Sequence, residues 1–131
     1  MAVIEKPPSK LIGQLRGLHF FGFDAAPCSQ RVTFALAEKD LQRASAVRFM
    51  DDSPSSLTAR EGHYVFRNVS LIKHDNLTED YAEIQPNMVV PALVHDGRLH
   101  IESMDIIAYL DDIFPHNPLL PSDAPAAQTC H

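Results

Sequence analysis

Hydrophobic positions between residues 88 and 114 follow a strand period first and a helix period afterwards. Two short apolar runs, residues 92–95 and 98–101, flank the dipeptide Asp96-Gly97. Such a dipeptide favours a tight antiparallel hairpin because both of its residues adopt positive φ readily. The apolar residues that follow recur at helical spacing: Met104, Ile107, Leu110, Ile113 and Phe114. The pattern therefore predicts strand, turn, strand and helix, with Ser103 as the helix cap.

The pattern upstream predicts four further elements. A strand is expected at residues 18–21, and a helix is expected from Cys28 to about residue 39. A second strand is predicted within residues 64–73, and a short helix capped by Thr78 follows it. The complete order is β-α-β-α-β-β-α, which predicts an α/β fold with a four-stranded mixed sheet.

Two segments show no sustained hydrophobic period. Residues 1–16 contain Pro7-Pro8 and are interpreted as a tail leading into the fold. Residues 42–63 are polar and are interpreted as an inserted surface loop outside the core. A function of its own, disorder and translated intron sequence stay open as explanations of this loop. Its deletion is expected to leave thermal stability nearly unchanged or raised.

Composition narrows the class of protein. The chain has 131 residues, 45% of them hydrophobic, which predicts one domain with a real core. A net charge of −6 argues against nucleic acid or an anionic membrane as the main partner, and no apolar run approaches the length of a membrane span. The two cysteines, Cys28 and Cys130, do not form a disulfide framework, which favours a reducing, cytoplasmic location. The seven histidines lack metal-ligand spacing, so no metal site is expected.

Three motifs in order, Val90-Pro91, the Asp96-Gly97 hairpin and Glu102-Ser103, resemble the amino-terminal thioredoxin-like domain of glutathione transferases. The run is most similar to bacterial and fungal members of the zeta, dehalogenase and β-etherase type. The resemblance implies such a domain at residues 17–121, with a cis peptide bond at Pro91. Residues 122–131 would then begin the linker to a helical domain that holds the hydrophobic co-substrate, and that domain is expected to be absent from this chain.

The same resemblance implies a glutathione site. The Val90 backbone would pair with the cysteinyl part of the tripeptide, as a strand does. Glu102 would pair with the γ-glutamyl ammonium, while the Ser103 hydroxyl and backbone N–H would receive the carboxylate. Val89 departs from the family pattern, because it stands where a side chain that can donate a hydrogen bond is usual.

Two residues are candidates for catalysis at the start of the first predicted helix. Cys28 lies at a helix N-terminus, which stabilises a thiolate, and coincides with the cysteine of the zeta-class motif. Ser29 is the second candidate, since its hydroxyl could donate to a bound thiolate, although a serine there more often caps the helix. By resemblance, the usual reactive serine or cysteine falls at Ala26, which has no chemistry to offer.

Two functions follow from the resemblance. The first is an enzyme that activates the thiol of glutathione, its co-substrate, for conjugation, reductive dehalogenation or ether cleavage of an unknown electrophile. The second is a non-catalytic binding or regulatory module. Disulfide exchange is disfavoured because no Cys-x-x-Cys is present. The apolar stripe of the last helix would lack its partner domain, so weak activity and self-association, as a homodimer for example, are expected.

Overall fold

The computed structural model describes residues 3–4, 10–85 and 87–116. Helices and strands follow one another in a mixed α/β order. The elements are β1 (Val3–Ile4), α1 (Lys10–Gln14), β2 (Leu18–Gly22), α2 (Pro27–Glu38), β3 (Gln42–Arg48), β4 (His63–Asn68), α3 (Glu79–Ile84), β5 (Ala92–His95), β6 (Arg98–Ile101) and α4 (Ser103–Ile113). Short 3₁₀ turns lie at Pro54–Ser56 and Asp75–Leu77.

The sheet has the strand order β1-β6-β5-β2-β4-β3. Strand β2 is parallel to β4 and antiparallel to β5, so the sheet is mixed as the sequence predicts. The predicted number of four strands is wrong. The described residues form six strands, five of them four or more residues long, because β3 extends one edge and the two-residue β1 pairs with β6 at the other.

Each face of the sheet carries its own hydrophobic core. Adjacent residues of β2 point to opposite faces, so that Phe21 enters one core and Phe20 the other. Helices α1 and α3 cover the first face, and α2 and α4 cover the second. Leu36 of α2 and Leu110 of α4 are fully buried between these two helices and the sheet. The domain is therefore a three-layer sandwich of helices, sheet and helices.

The predicted tail at residues 1–16 is wrong for its second half. Residues Lys10–Gln14 form α1, and Leu11, Ile12 and Leu15 are buried in the first core. A helix of five residues is too short to produce a recognisable hydrophobic period, so the sequence pattern missed it.

The predicted inserted loop at residues 42–63 is also wrong. Its first seven residues form β3, which pairs in parallel with β4. Every residue of β3 is at least partly exposed, so the strand lacks the alternating burial by which strands are detected in sequence. The segment also contributes to the core, because Phe49 is fully buried and its ring meets Tyr81 edge-on at 5.6 Å.

A buried arginine binds the rest of this segment to the sheet. Arg67 of β4 has no exposed surface, and its guanidinium donates to the carbonyl oxygens of Phe49 at 3.4 Å, Asp51 at 2.5 Å and Ser56 at 2.7 Å. Its Nε donates to Nδ1 of His19 at 3.1 Å. Burial lowers the pKa of Arg67 to about 10, which still leaves the side chain charged at neutral pH. Residues 49–56 are thus held by hydrogen bonds to a single side chain.

The hairpin and the last helix form where the sequence predicts them. Asp96 and Gly97 have φ angles of 51° and 84°, and the Asp96 carboxylate accepts from the backbone N–H of Gly17 at 2.7 Å. Thr78 caps α3 as expected, with its hydroxyl oxygen accepting from the N–H of Tyr81. The cap predicted at Ser103 is wrong, because Glu102 occupies the cap position and Ser103 is the first helical residue.

The expected exposure of the α4 apolar stripe is wrong. Ile107 and Leu110 are buried against α2 and the sheet, while Met104, Ile113 and Phe114 are partly buried beside them. At the end of the helix, the ammonium of Lys39 donates to the carbonyl of Phe114 at 2.6 Å and pairs with Asp111 at 2.8 Å. This stripe therefore offers no large open patch for self-association. No helix in the described part of the chain is long and apolar enough to cross a membrane.

Candidate functional site

The sheet brings three segments that carry predicted site residues to the edge where β2 and β6 end and β5 begins. Strand β2 ends beside the start of β5, where Phe21 faces Ala92, and the last residue of β6, Ile101, faces the same Ala92. The loop before α2 follows β2, the segment ending at Pro91 precedes β5, and Glu102 follows β6. The predicted residues Cys28, Ser29, Val90, Glu102 and Ser103 consequently belong to three segments that meet at this edge.

The first segment is the N-terminal turn of α2. Pro27 is the first helical residue, where its missing N–H costs nothing, and Ala26 precedes it without a side-chain cap. Ser29 is fully buried, and its hydroxyl oxygen accepts from the N–H of Phe23 at 3.1 Å, so this serine holds the loop that precedes the helix.

The other candidate of this segment, Cys28, is 6% exposed and disulfide-bonded in this structure. The expectation that the cysteines take no part in disulfide bonding is therefore wrong for Cys28. The free thiol that the sequence predicts at this position is consequently not present in the structure.

The second segment runs from Met88 to Pro91. The peptide bond between Val90 and Pro91 is cis, and Val90 is 7% exposed. Two side chains of the preceding region bind the carbonyl oxygen of Val89: the Tyr81 hydroxyl at 2.7 Å and the Gln85 amide at 3.1 Å. Burial raises the pKa of Tyr81, so its hydroxyl keeps the proton that it donates.

Sequence reasoning missed this support of the Val90 segment. The hydrophobic pattern gives no sign that the side chains of Tyr81 and Gln85 bind the Val89 carbonyl. A fully buried glutamine is unusual enough to indicate a hydrogen-bonding role, but its burial could not be seen from the hydrophobic pattern. Asn76 adds a third contact, since its amide donates to the carbonyl of Met88 at 3.2 Å.

The third segment is the start of α4. Glu102 is exposed and has a φ angle of 69°, a left-handed conformation that non-glycine residues rarely adopt. Ser103 is only 2% exposed, and its Oγ atom has no hydrogen-bond partner among the described residues. A buried hydroxyl usually finds a partner, so this oxygen at a helix N-terminus is available to an incoming group. The unpaired N–H groups of the first helical turn favour an anion there.

The described residues contain no group of three or more His, Cys, Asp or Glu side chains that could hold a metal ion. What the edge offers chemically is an extended backbone at Val90, an exposed carboxylate at Glu102, and a hydroxyl with helix N–H groups at Ser103. Such a set can bind a molecule that carries a peptide bond, an ammonium and a carboxylate.

Comparison with known proteins identifies the family. A family model described as "Glutathione S-transferase, N-terminal domain" matches residues 20–118. The chain belongs to this family. Glutathione S-transferase Z2 of Arabidopsis thaliana is 43% identical over 68 residues, which cover 52% of this chain and 30% of that protein.

Two solved structures extend the likeness to about four fifths of the chain. The β-etherase LigF of Sphingobium sp. strain SYK-6 is 28% identical, with a TM-score of 0.60 over 81% of this chain and 36% of that one. A maleyl pyruvate isomerase, described as a bacterial zeta-class glutathione S-transferase, is 26% identical, with a TM-score of 0.59 over 81% of this chain and 40% of that one. The predicted likeness to zeta and β-etherase members is therefore confirmed.

The match covers only part of each relative. The chain spans between 30% and 43% of the length of the curated relatives that it matches. What the family membership establishes for this chain is the transferase N-terminal domain with its thioredoxin-like fold.

Proposed function

We propose that this domain binds glutathione and activates its thiol for attack on an electrophile. The Val90 backbone pairs with the cysteinyl residue, and Glu102 with the γ-glutamyl ammonium. The Ser103 hydroxyl and the first N–H groups of α4 receive the γ-glutamyl carboxylate. Conjugation, reductive dehalogenation and ether cleavage are the reactions proposed, because each one begins with the sulfur of glutathione acting as a nucleophile.

One observation carries the proposal. The Ser103 oxygen is buried and unpaired among the described residues, and Ser103 directly follows the exposed Glu102 in the chain. An unpaired buried hydroxyl costs about 1–3 kcal/mol of stability. A bound carboxylate would accept its hydrogen bond and remove that cost. The family membership supplies the ligand that has this chemistry, since glutathione carries a carboxylate and an ammonium on the same carbon.

The residue that lowers the pKa of the glutathione thiol lies, in this proposal, at the start of α2. Ala26 has no hydroxyl or thiol to offer, so the role falls to Ser29 or, after reduction of its disulfide, to Cys28. Ser29 Oγ already accepts from Phe23, which leaves its own O–H proton able to donate to a thiolate. The helix N-terminus adds a positive field that favours the same anion.

The test is a calorimetric titration of glutathione into the reduced 131-residue chain and into two variants. Ser103→Ala removes the proposed carboxylate donor. Thr33→Val is the matched control, because Thr33 of α2 has the only other hydroxyl oxygen that is buried without a partner in the described part of the chain. Both substitutions are expected to leave stability unchanged or raise it by about 1 kcal/mol.

Only Ser103→Ala is expected to weaken glutathione binding, by about tenfold, which corresponds to one hydrogen bond to a charged group. Equal affinity of Ser103→Ala and the parent would refute the assignment of the carboxylate to Ser103. Binding without any turnover of a model electrophile would support the non-catalytic module instead. Repeating the turnover assay with Ser29→Ala and with Cys28→Ala would identify the residue that activates the thiol.

A further inference from the structure

A pocket outside the proposed glutathione site lies against β3, the strand that the sequence did not predict. Its volume is about 630 Å³, within the range of small-molecule sites. Strands β3 and β4 and the turn after β4 form its walls. The residues that matter for its chemistry are Asp24, Arg43, Ala46, Arg48, Phe66 and Lys73. Because β3 contributes both arginines and an alanine, this pocket exists only in the presence of that strand.

One wall of the pocket is fixed by a network of contacts. Arg43 donates through two guanidinium nitrogens to the two carboxylate oxygens of Asp24, each at 3.1 Å, and through Nε to the Tyr64 hydroxyl at 3.2 Å. Its guanidinium carbon lies 3.9 Å from the centre of the Phe66 ring. Asp24 raises the pKa of Arg43, and the Asp24 carboxylate neutralises the positive charge of Arg43. Arg43 therefore has a structural role in the wall of the pocket. Other cations of the pocket would have to bind a ligand.

Two of the cations that line the pocket form no ion pair with a described residue. Neither Arg48 nor Lys73 has a carboxylate within 4.0 Å among the residues that the structure describes, and both side chains are exposed. The other acid of the pocket, Asp75, is engaged at one oxygen by the N–H of Ser70 at 3.0 Å. Three cations thus face two carboxylates, a local excess of one positive charge on a chain whose net charge is −6.

We propose that this pocket binds a small organic carboxylate. Arg48 and Lys73 hold the carboxylate, and Ala46, which lies on the same face of β3 as Arg48, contacts the apolar body. The pocket uses side chains of β3, β4 and the turn after β4 and none of the residues assigned to glutathione, although Asp24 lies in the loop before α2, which is one segment of the proposed glutathione site. It stands whether or not the domain binds glutathione.

Backbone amide NMR of the 131-residue chain titrated with benzoate tests this proposal, with benzamide as the uncharged match. Benzoate is expected to shift the amides of Val47, Asn68 and Lys73, and benzamide is expected to leave them unmoved. Arg48→Gln and Lys73→Gln should each weaken benzoate binding by about threefold to fivefold. Arg98→Gln removes the same charge from an exposed position outside the pocket and should leave the affinity unchanged.

Three results would contradict the proposed carboxylate site. Equal binding of benzoate and benzamide would show that the two cations do not recognise the carboxylate. An equal loss of benzoate affinity in Arg98→Gln would show that binding depends on the net charge of the chain and not on Arg48 and Lys73. Displacement of benzoate by saturating glutathione would make the pocket a part of the glutathione site. Failure of glutathione to bind, with benzoate binding intact, would sink only the proposed transferase function.

Discussion

Two regions of this domain differ in how they are specified. The hairpin and last helix, residues 90–114, follow from neighbouring residues: a two-residue turn with positive φ angles and a helix with a regular apolar stripe. The segment predicted as an inserted loop, residues 42–63, is held by contacts to residues distant in sequence, above all to the Arg67 guanidinium. The first region can be predicted by local rules, and the second cannot.

The difference lies in where the hydrogen bonds go. In the hairpin, donors and acceptors pair within a few residues of one another. In the segment 42–63, β3 is an edge strand with no buried face, and residues 49–56 pair with a side chain that lies 11 to 18 positions later. A polar sequence with few apolar positions then resembles a loop. Such a segment still supplies an edge strand, a core phenylalanine and one wall of a pocket to this domain.

Removal of the buried guanidinium is expected to cause the largest loss of stability. Arg67→Ala leaves the carbonyls of Phe49, Asp51 and Ser56 without their donor, so the free energy of unfolding should fall by about 3–5 kcal/mol. Chemical denaturation measures it, with Arg98→Ala as the exposed control, for which a change within about 0.5 kcal/mol is expected. Equal losses in the two variants would mean that residues 42–63 are the surface loop that the sequence pattern predicts.

A pair of glycines tests how closely the segment 42–63 packs. Gly17 and Gly62 both have positive φ, 76° and 80°, so alanine at either position costs about 1–2 kcal/mol in backbone strain. A Cβ at Gly17 would also lie 2.3 Å from the Ala59 carbonyl oxygen, whereas one at Gly62 meets open space. Gly17→Ala should therefore be less stable than Gly62→Ala by more than about 1 kcal/mol, measured by thermal unfolding. Matching melting temperatures would place Ala59 away from β2.

The pH dependence of stability tests one histidine of the hairpin, His100, and one histidine of β2, His19, that contacts Arg67. Burial lowers the pKa of His19, which contacts Arg67, and that of His100 in β6, both to about 4. The unfolded chain binds these protons near pH 6.5, so each histidine's contribution is complete above pH 6.5 and is lost as the pH falls towards 4. The expected loss is about 1–2 kcal/mol for each histidine, measured by denaturation at several pH values.

His100→Phe separates the two contributions. The substitution keeps a ring against Tyr109, on which His100 stacks at 3.9 Å, and removes a ring nitrogen that has no partner among the described residues. About half of the acid sensitivity should disappear, and the remainder should belong to His19. A variant with the full sensitivity of the parent would show that His100 does not titrate between pH 6.5 and 4.

The sequence was sufficient for the parts of the site that short motifs define. Val90-Pro91 lies directly before β5 and Glu102-Ser103 lies at the start of α4, and the sequence predicts both places because each motif is adjacent to its own element. The support of Val89 by Tyr81 and Gln85 was not predictable, since it depends on how α3 packs under the loop. The same limit applies to the lack of a partner for Ser103 Oγ, because only a packed structure shows which polar atoms are left unpaired.

The most direct measurement is a glutathione titration of the reduced, isotope-labelled chain followed by backbone amide NMR. We predict that glutathione causes saturable shifts of the amide signals of Val90, Glu102 and Ser103, at the edge where β2 and β6 end and β5 begins. Amides of the Asp96-Gly97 turn, at the opposite end of the same hairpin, should stay unmoved. No saturable shift, or shifts confined to β3 and its pocket, would contradict glutathione binding at the start of α4.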